Sequence, residues 1–270
     1  NTLTNKGIKQ NIINYTGNKY NETNKIINIH NWQDYDIIIE PFCGGFGFSR
    51  FLVWNDIIKL DEKKFIFMDV NKNLIDFYKE IKKMSINEIG KLFDEYNNLV
   101  DILKKKFPYK GKYLCKKKTT EYIDQNTKGL IKKIFFFNTS EGPFYKLTYK
   151  KNIMDSIKII KHKNVKFICD SYLNIDKYLP KKKNILVYLD PPYYGDMNNK
   201  QFYNCDVDNI QNIFKKINDD LNDNSKYKSV LVHKEDVLMN ILWLKFKKYD
   251  FDKIYNITKN RTKHIVYGNY

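Results

Sequence analysis

Asp190-Pro191-Pro192-Tyr193 places a carboxylate, two prolines and an aromatic ring in direct succession. Proline carries no backbone N–H and has a fixed φ, so the carbonyls of Asp190 and Pro191 are held as free acceptors on a stiff loop. An acceptor pair beside a ring suits a planar substrate with an amino group: the ring stacks, and the oxygens accept the N–H hydrogens. The same D-P-P also serves as ordinary punctuation after a strand, so the tetrapeptide does not settle the chemistry alone. A second constellation is Glu40-Pro41-Phe42-Cys43-Gly44-Gly45-Phe46-Gly47-Phe48-Ser49. Its glycines let the backbone pass close to a ligand, and a helix starting beyond them offers unpaired N–H groups. The segment is neither G-x-G-x-x-G nor a G-K-[ST] loop, so a ligand with a carboxylate or an adenosine fits it better than a pyrophosphate. Asp69 follows Gly47 by 22 residues. That is close to the offset of about 20 at which an acid reaches ribose hydroxyls in Rossmann-like folds.

These residues need strands and turns to position them. Asp190 follows the apolar run Ile185 to Leu189, which predicts a short buried strand, and in open α/β sheets ligands bind at the carboxyl ends of strands. Further strands are predicted over 36–40, 64–69, 165–169, 228–232 and 263–267, with helices starting at Ser49 and covering Lys72 to Lys83. Strands separated by helices imply a doubly wound α/β sheet. Between residues 85 and 160 the pattern changes to amphipathic helix with lysine-rich joints (Lys104 to Lys106, Lys116 to Lys118, Lys132-Lys133). The expected organisation is a sheet domain over residues 1–84 and 161–270, with 85–160 as a helical insertion.

At 270 residues the chain can bury one substantial core with a smaller inserted one. The formal net charge of +17 favours an anionic partner, nucleic acid first. Part of that excess follows from a residue usage rich in Asn, Lys, Ile and Tyr and devoid of Ala, as an AT-rich coding sequence produces. Cys43, Cys115, Cys169 and Cys205 form no C-x-x-C pair and have no histidine cluster nearby, so reduced, buried thiols are expected, with no metal site. No apolar stretch reaches about 18 residues, and Asn1-Thr2-Leu3-Thr4 lacks a charged-then-apolar signal pattern. The expected location is cytoplasmic, or host cytoplasm or virion for a viral chain, with no membrane partner.

Four segments in order, Asn14-Tyr15-Thr16-Gly17-Asn18-Lys19, Glu40 to Gly45, Asp69-Val70-Asn71 and Asp190 to Tyr193, resemble the Dam-type, D12-class (α-group) N6-adenine DNA methyltransferases of phages and bacteria. The resemblance spans nearly the whole chain. It implies a Rossmann-like methyltransferase sheet with an inserted helical target-recognition domain, S-adenosylmethionine as cofactor and double-stranded DNA as substrate. It further implies that Tyr15 and Lys19 contact the methionine end of the cofactor, that Phe42, Cys43, Gly44 and Gly45 form its turn, and that Asp69 holds the ribose. Phe167 to Tyr172 is similar to the segment that holds the cofactor adenine, which adds Asp170 and Tyr172. Asp190, Pro191, Pro192 and Tyr193 become the catalytic loop, with Asp190 also beside the cofactor. In the insertion, Phe137 to Lys146 keeps a Gly and a Phe of the family's recognition segment but lacks its arginine, the commonest reader of guanine edges. Asn138, Lys146, Lys150 and Lys151 are the candidate DNA contacts, the lysines toward phosphates. His233 and His264 stand where the family more often has a Ser-Asn pair and an acidic residue. Two other readings stay open on residues alone: a non-catalytic nucleic-acid-binding protein on the same fold, and a methyltransferase acting on RNA. A cognate restriction endonuclease is a further expected partner.

Overall fold

The structure is a computed structural model, and it describes residues 12–13, 19–107, 116–138, 151–181, 183–192, 207–223, 225–254 and 261–270. The chain divides into two compact units, one of Lys19–Lys72 with Asn164–Tyr270, the other of Asn73–Lys163 with Ile12 and Ile13.

The first unit is built on a seven-stranded sheet. Its strands are β1 (Ile37–Glu40), β2 (Lys64–Asp69), β3 (Val165–Cys169), β4 (Ile185–Leu189), β5 (Lys228–Lys234), β6 (Lys247–Ile254) and β7 (Arg261–Gly268). They lie in the order β3-β2-β1-β4-β5-β7-β6. Neighbours among β1 to β5 pair in parallel, while β7 runs antiparallel to both β5 and β6. Every residue of β1 and β4 is buried. Continuous Ile, Leu and Val runs of this kind are what a parallel strand covered on both faces requires. A core cluster including Ile39, Met68, Val187, Leu189, Leu231, Phe214 and Trp243 fills one such face. From β1 the chain winds outward through β2 to β3, then returns to place β4 on the other side of β1. The crevice at the carboxyl ends of β1 and β4 is therefore the topological switch point where such sheets bind ligands. Around the sheet stand α1 (Tyr20–Ile26), α2 (Gly47–Trp54), α8 (Val207–Asn222) and α9 (Val237–Trp243).

β6 was not expected from sequence, and it forms the sheet's second edge. Its alternating Lys and Asp residues conceal it, and charge is how an exposed edge avoids unwanted pairing. The thiols also differ from expectation: Cys43 is buried, but Cys169 is exposed at the end of β3, the opposite edge strand. Cys115 and Cys205 lie outside the described residues.

The second unit is helical. It holds α3 (Lys72–Lys83, from Asn73 on), α4 (Ile86–Lys106), α5 (Lys116–Asn126), α6 (Gly129–Asn138) and α7 (Lys151–Lys161). A capping box starts α4: the Glu88 N–H donates to the Ser85 hydroxyl while the Ser85 N–H donates to the Glu88 carboxylate. Ile89, Phe93, Tyr96, Val100 and Leu103 recur at helical spacing and are buried. Tyr96 packs on Phe135 of α6 with ring centroids 4.6 Å apart. Lys161 of α7 donates to the carbonyls of Lys82 and Met84, tying the two ends of the unit together. Among the described residues no helix is long and apolar enough to cross a membrane, and no group of His, Cys, Asp or Glu has a metal-binding arrangement.

Candidate active site

Four acids of the first unit stand at successive strand ends. Glu40 closes β1, Asp69 closes β2, Asp170 follows β3 and Asp190 follows β4. Parallel pairing of β1 to β4 brings these ends to one edge of the sheet.

Asp190 has its side chain 19% exposed and pairs with Lys19, whose Nζ lies 2.9 Å from Oδ1 and is itself almost fully buried. Burial pushes the Asp190 carboxyl above the usual carboxylate range, and the Lys19 ammonium pulls it back. Lys19 directly precedes α1, and its ammonium also lies 3.7 Å from Glu22 in the first turn of that helix. Glu22 in turn pairs with Lys253 of β6 at 2.5 Å. Pro191 is buried and Pro192 half-buried, so the stiff segment is packed as well as conformationally restricted.

The glycine turn joins β1 to α2. Gly44 has φ 43°, a left-handed conformation that glycine adopts without a Cβ clash. Phe46, with φ 40°, adopts the same region at a cost that its ring offsets by stacking on Phe67 at 5.0 Å. Asp69 organises this turn. Its Oδ2 accepts from the Gly44 N–H at 3.2 Å and its Oδ1 from the Asn71 N–H at 2.9 Å. The Cys43 N–H donates to the Met68 carbonyl at 2.9 Å, completing the clip between the end of β2 and the turn. Burial raises the Asp69 carboxyl pKa, against the pull of these backbone donors. Glu40 Oε1 accepts from the Ser49 N–H at 2.9 Å, capping the first turn of α2 from the neighbouring strand. Burial, with Asp190 nearby, pushes Glu40 up to about 7.

At the end of β3, Asp170 accepts from the Ser171 N–H at 2.7 Å, the Asn174 amide at 2.8 Å and the Tyr178 hydroxyl at 2.7 Å. The Tyr178 hydrogen bond leads in holding its pKa below the ordinary value. Tyr172 turns its hydroxyl to Asp220 on α8 and sets its ring 5.5 Å from that of Phe42.

The family profile of the D12 class N6 adenine-specific DNA methyltransferases matches residues 15–152. The chain belongs to this family. Among solved structures it is similar to SMU.472, a candidate methyltransferase complexed with SAH, at 10% identity and a TM-score of 0.47, covering 96% of this chain and 54% of that one. It is also similar to an rRNA methylase from Streptococcus thermophilus, at 9% identity and a TM-score of 0.35, covering 88% of this chain and 90% of that one. The D12-class chain thus spans about half the length of SMU.472. No curated protein sequence matches it significantly.

In the D12-class chain, Lys19 and Asp190 come into contact, and so do Gly44 and Asp69; Phe42 meets Tyr172 through its ring. Asp170 and the Tyr172 hydroxyl are engaged within their own surroundings, while the Tyr172 ring lies beside that of Phe42. Tyr15, Tyr193, Lys146 and Lys150 lie outside the described residues. Asn138 ends α6 and Lys151 begins α7, both in the helical unit. Sequence reasoning assigned no role to Glu22, Glu40 or Lys253. Glu40 had a signal, a carboxylate ending an all-apolar strand. Glu22 had a weaker one, its i+3 spacing from Lys19, whereas Lys253 sits on the strand that went unread. His264 is fully buried against the Phe251 ring at 5.5 Å, and its pKa falls to about 3 through burial first and then the Lys19 and Lys253 charges. The ring of His233 packs on Phe214 at 5.6 Å and its Nδ1 lies 2.6 Å from the Lys234 carbonyl, so both histidines are packed strand residues.

Proposed function

We propose that this chain transfers a methyl group from S-adenosylmethionine to the exocyclic N6 of an adenine flipped out of duplex DNA. The observation that carries this reading is Asp190, held by Lys19 at 2.9 Å at the carboxyl end of the strand beside the switch point.

Adenine N6 is a poor nucleophile because its lone pair is delocalised into the ring. Asp190 and the Pro191 carbonyl accept its two hydrogens, which lets the nitrogen pyramidalise and turn its lone pair outward. Asp190 acts by orientation and electrostatics and takes a proton only once the nitrogen has been alkylated. Lys19 offsets part of the burial that raises the Asp190 carboxyl. Tyr193 is proposed as the stacking face for the flipped base.

The residues present fit the cofactor. Asp69, besides accepting the Gly44 and Asn71 backbone hydrogens, is the acceptor proposed for a ribose hydroxyl. Gly44 and Gly45 let the backbone approach closely, Phe42 and the Tyr172 ring offer apolar faces, and Tyr15 suits the carboxylate of the methionine end, together with an N–H of Lys19 other than the one on Asp190. The cofactor supplies an electrophilic methyl on a sulfonium. We assign residues 1–84 and 161–270 to catalysis and 85–160 to target recognition, with Asn138, Lys146, Lys150 and Lys151 as DNA contacts. A cytoplasmic location and a restriction endonuclease of matching specificity fit this activity.

The deciding experiment incubates the protein with labelled S-adenosylmethionine and AT-rich duplex DNA or RNA, followed by digestion and nucleoside analysis. N6-methyladenine in DNA is expected, and Asp190→Ala lowers its formation by at least about a hundredfold. Product in RNA alone would reassign the substrate. Cofactor binding without product on either polymer would make the chain a binding protein.

A further inference from the structure

A chain of alternating charge runs from Asp190 to Lys253. Asp190 meets Lys19 at 2.9 Å, Lys19 lies 3.7 Å from Glu22, and Glu22 meets Lys253 at 2.5 Å. The members come from the loop after β4, the entry and first turn of α1, and β6. All are largely enclosed: the side chains of Lys19, Glu22 and Lys253 are 5%, 9% and 18% exposed. Glu22 is three residues beyond Lys19, so the two side chains emerge on one side of the helix. β6 is held to α1 separately, by Lys25, which donates to the Asp252 carbonyl and stands 5.3 Å over the Phe251 ring.

Lys19 therefore stands between two carboxylates. Unneutralised, Glu22 would compete with Asp190 for the ammonium and make a second negative charge costlier close by. Lys253 reaches the other oxygen of Glu22. We propose that Glu22 and Lys253 form a positioning pair, in which Lys253 neutralises Glu22 so that the Lys19 ammonium stays committed to Asp190. The pair acts on the site through Lys19, and the inference rests on the reading of Asp190 as the acceptor of the amino group.

Other charged and titratable groups face the same place. Glu40 at the end of β1, with Arg50 of α2 beside it, and Tyr188 of β4 interact electrostatically with Asp190, and His264 of β7 with Lys19 and Lys253. With its pKa near 3, His264 stays neutral throughout a neutral-range titration. Glu40, near 7, titrates within that range and is coupled to Asp190, so its carboxyl is followed beside that of Asp190 in wild type and variants.

The test compares full-length wild type, Lys253→Met, Glu22→Gln and the double variant. Three quantities are read: kcat and KM for DNA, the acid limb of the pH–rate profile, and the titration of the Asp190 carboxyl by carbon-13 NMR in the free protein. In Lys253→Met, kcat should fall about ten- to a hundredfold while KM changes little, as for a misplaced catalytic group. The acid limb and the Asp190 titration should both move to higher pH. Adding Glu22→Gln should return most of the lost kcat and bring the titration back, because the charge to be neutralised is gone. A packing role predicts instead that the two losses add. Additive losses, or an Asp190 titration unmoved by Lys253→Met, overturn the proposal. Lys253→Gln replaces the methionine variant should that fail to fold. The NMR titration needs no turnover: an Asp190 titration that moves and returns as described, in a protein that methylates nothing, supports the positioning pair and refutes the methyltransferase reading.

Discussion

Removing the Lys19 ammonium tests the electrostatic account of the site most directly, and Lys19→Met does so with little change in side-chain volume. Oppositely charged atoms 2.9 Å apart attract by about 6 kcal/mol at an effective dielectric near 20. Desolvation of both partners offsets much of this, and breaking such a buried pair from one side costs about 3–5 kcal/mol while the remaining charge stays ionised. Asp190 has an escape, because it can bind a proton. Its folded pKa is already raised by burial, and loss of Lys19 raises it further. A carboxyl with a folded pKa above its unfolded value binds more protons when folded, so stability falls as pH rises from the unfolded value through the folded one. The deficit of Lys19→Met relative to wild type should thus be small near pH 4 and grow to about 3 kcal/mol near pH 8. For a chain of this size that is a Tm difference of about 6–12 °C. Thermal melts of both proteins across this range provide the measurement. A deficit that stays constant with pH would show that Lys19 stabilises the fold by packing alone, and the account of Asp190 would fall with it.

Two further outcomes follow from the strand-end acids. Glu40, pushed up to about 7, gives stability fully present below its unfolded value near 4.5 and lost as pH rises through 7. Glu40→Gln keeps the acceptor for the Ser49 N–H without the charge, so its melting temperature should exceed that of wild type near pH 8 by the equivalent of about 2–3 kcal/mol and match it near pH 4; equal melting at both pH values refutes this. Asp69 accepts from Gly44 and Asn71 on its two separate oxygens, so Asp69→Asn must turn an amide N–H toward one of those donors. It should lose about 1–3 kcal/mol by denaturant unfolding and bind S-adenosylhomocysteine more weakly by calorimetry, whereas unchanged stability would separate Asp69 from the turn.

Six of the seven strands were legible because their apolar runs are continuous, and the parallel strands β1 to β5 are buried enough to need such runs. β6 was not, since Lys247 to Ile254 alternates charge, has one strand neighbour and carries a register shift near Lys247. Missing that strand also hid Lys253. The motifs put forward individual candidate residues but not their pairing: Lys19 and Asp190 are 171 positions apart (190 minus 19), and only the winding of β1 and β4 brings them together. Asp69 shows a different limit. An offset from the glycine turn singles out this acid as a ligand candidate, yet it does not reveal that the same carboxylate builds the turn. Tyr172 behaves likewise, with its hydroxyl committed to α8.

The basic character of the chain divides unevenly between affinity and discrimination. The sequence has two arginines, Arg50 and Arg261. Arg50 is fully buried in α2, with its guanidinium 5.0 Å over the Tyr20 ring and its charge close to Glu40, so it serves the fold of the sheet unit. Arg261 begins β7, in the same unit. The helical unit therefore contains no arginine, and the planar guanidinium fork that arginine sets against a guanine edge is missing there. Its lysines can neutralise phosphates, and its asparagines can pair with the N6 and N7 edge of adenine. On the proposed reading, strong and salt-sensitive attachment to DNA comes from lysine, while the choice of site falls to asparagine and to the deformability of A·T-rich steps. The composition that blurs the meaning of the net charge thus also points to the kind of sequence this unit is chemically equipped to read.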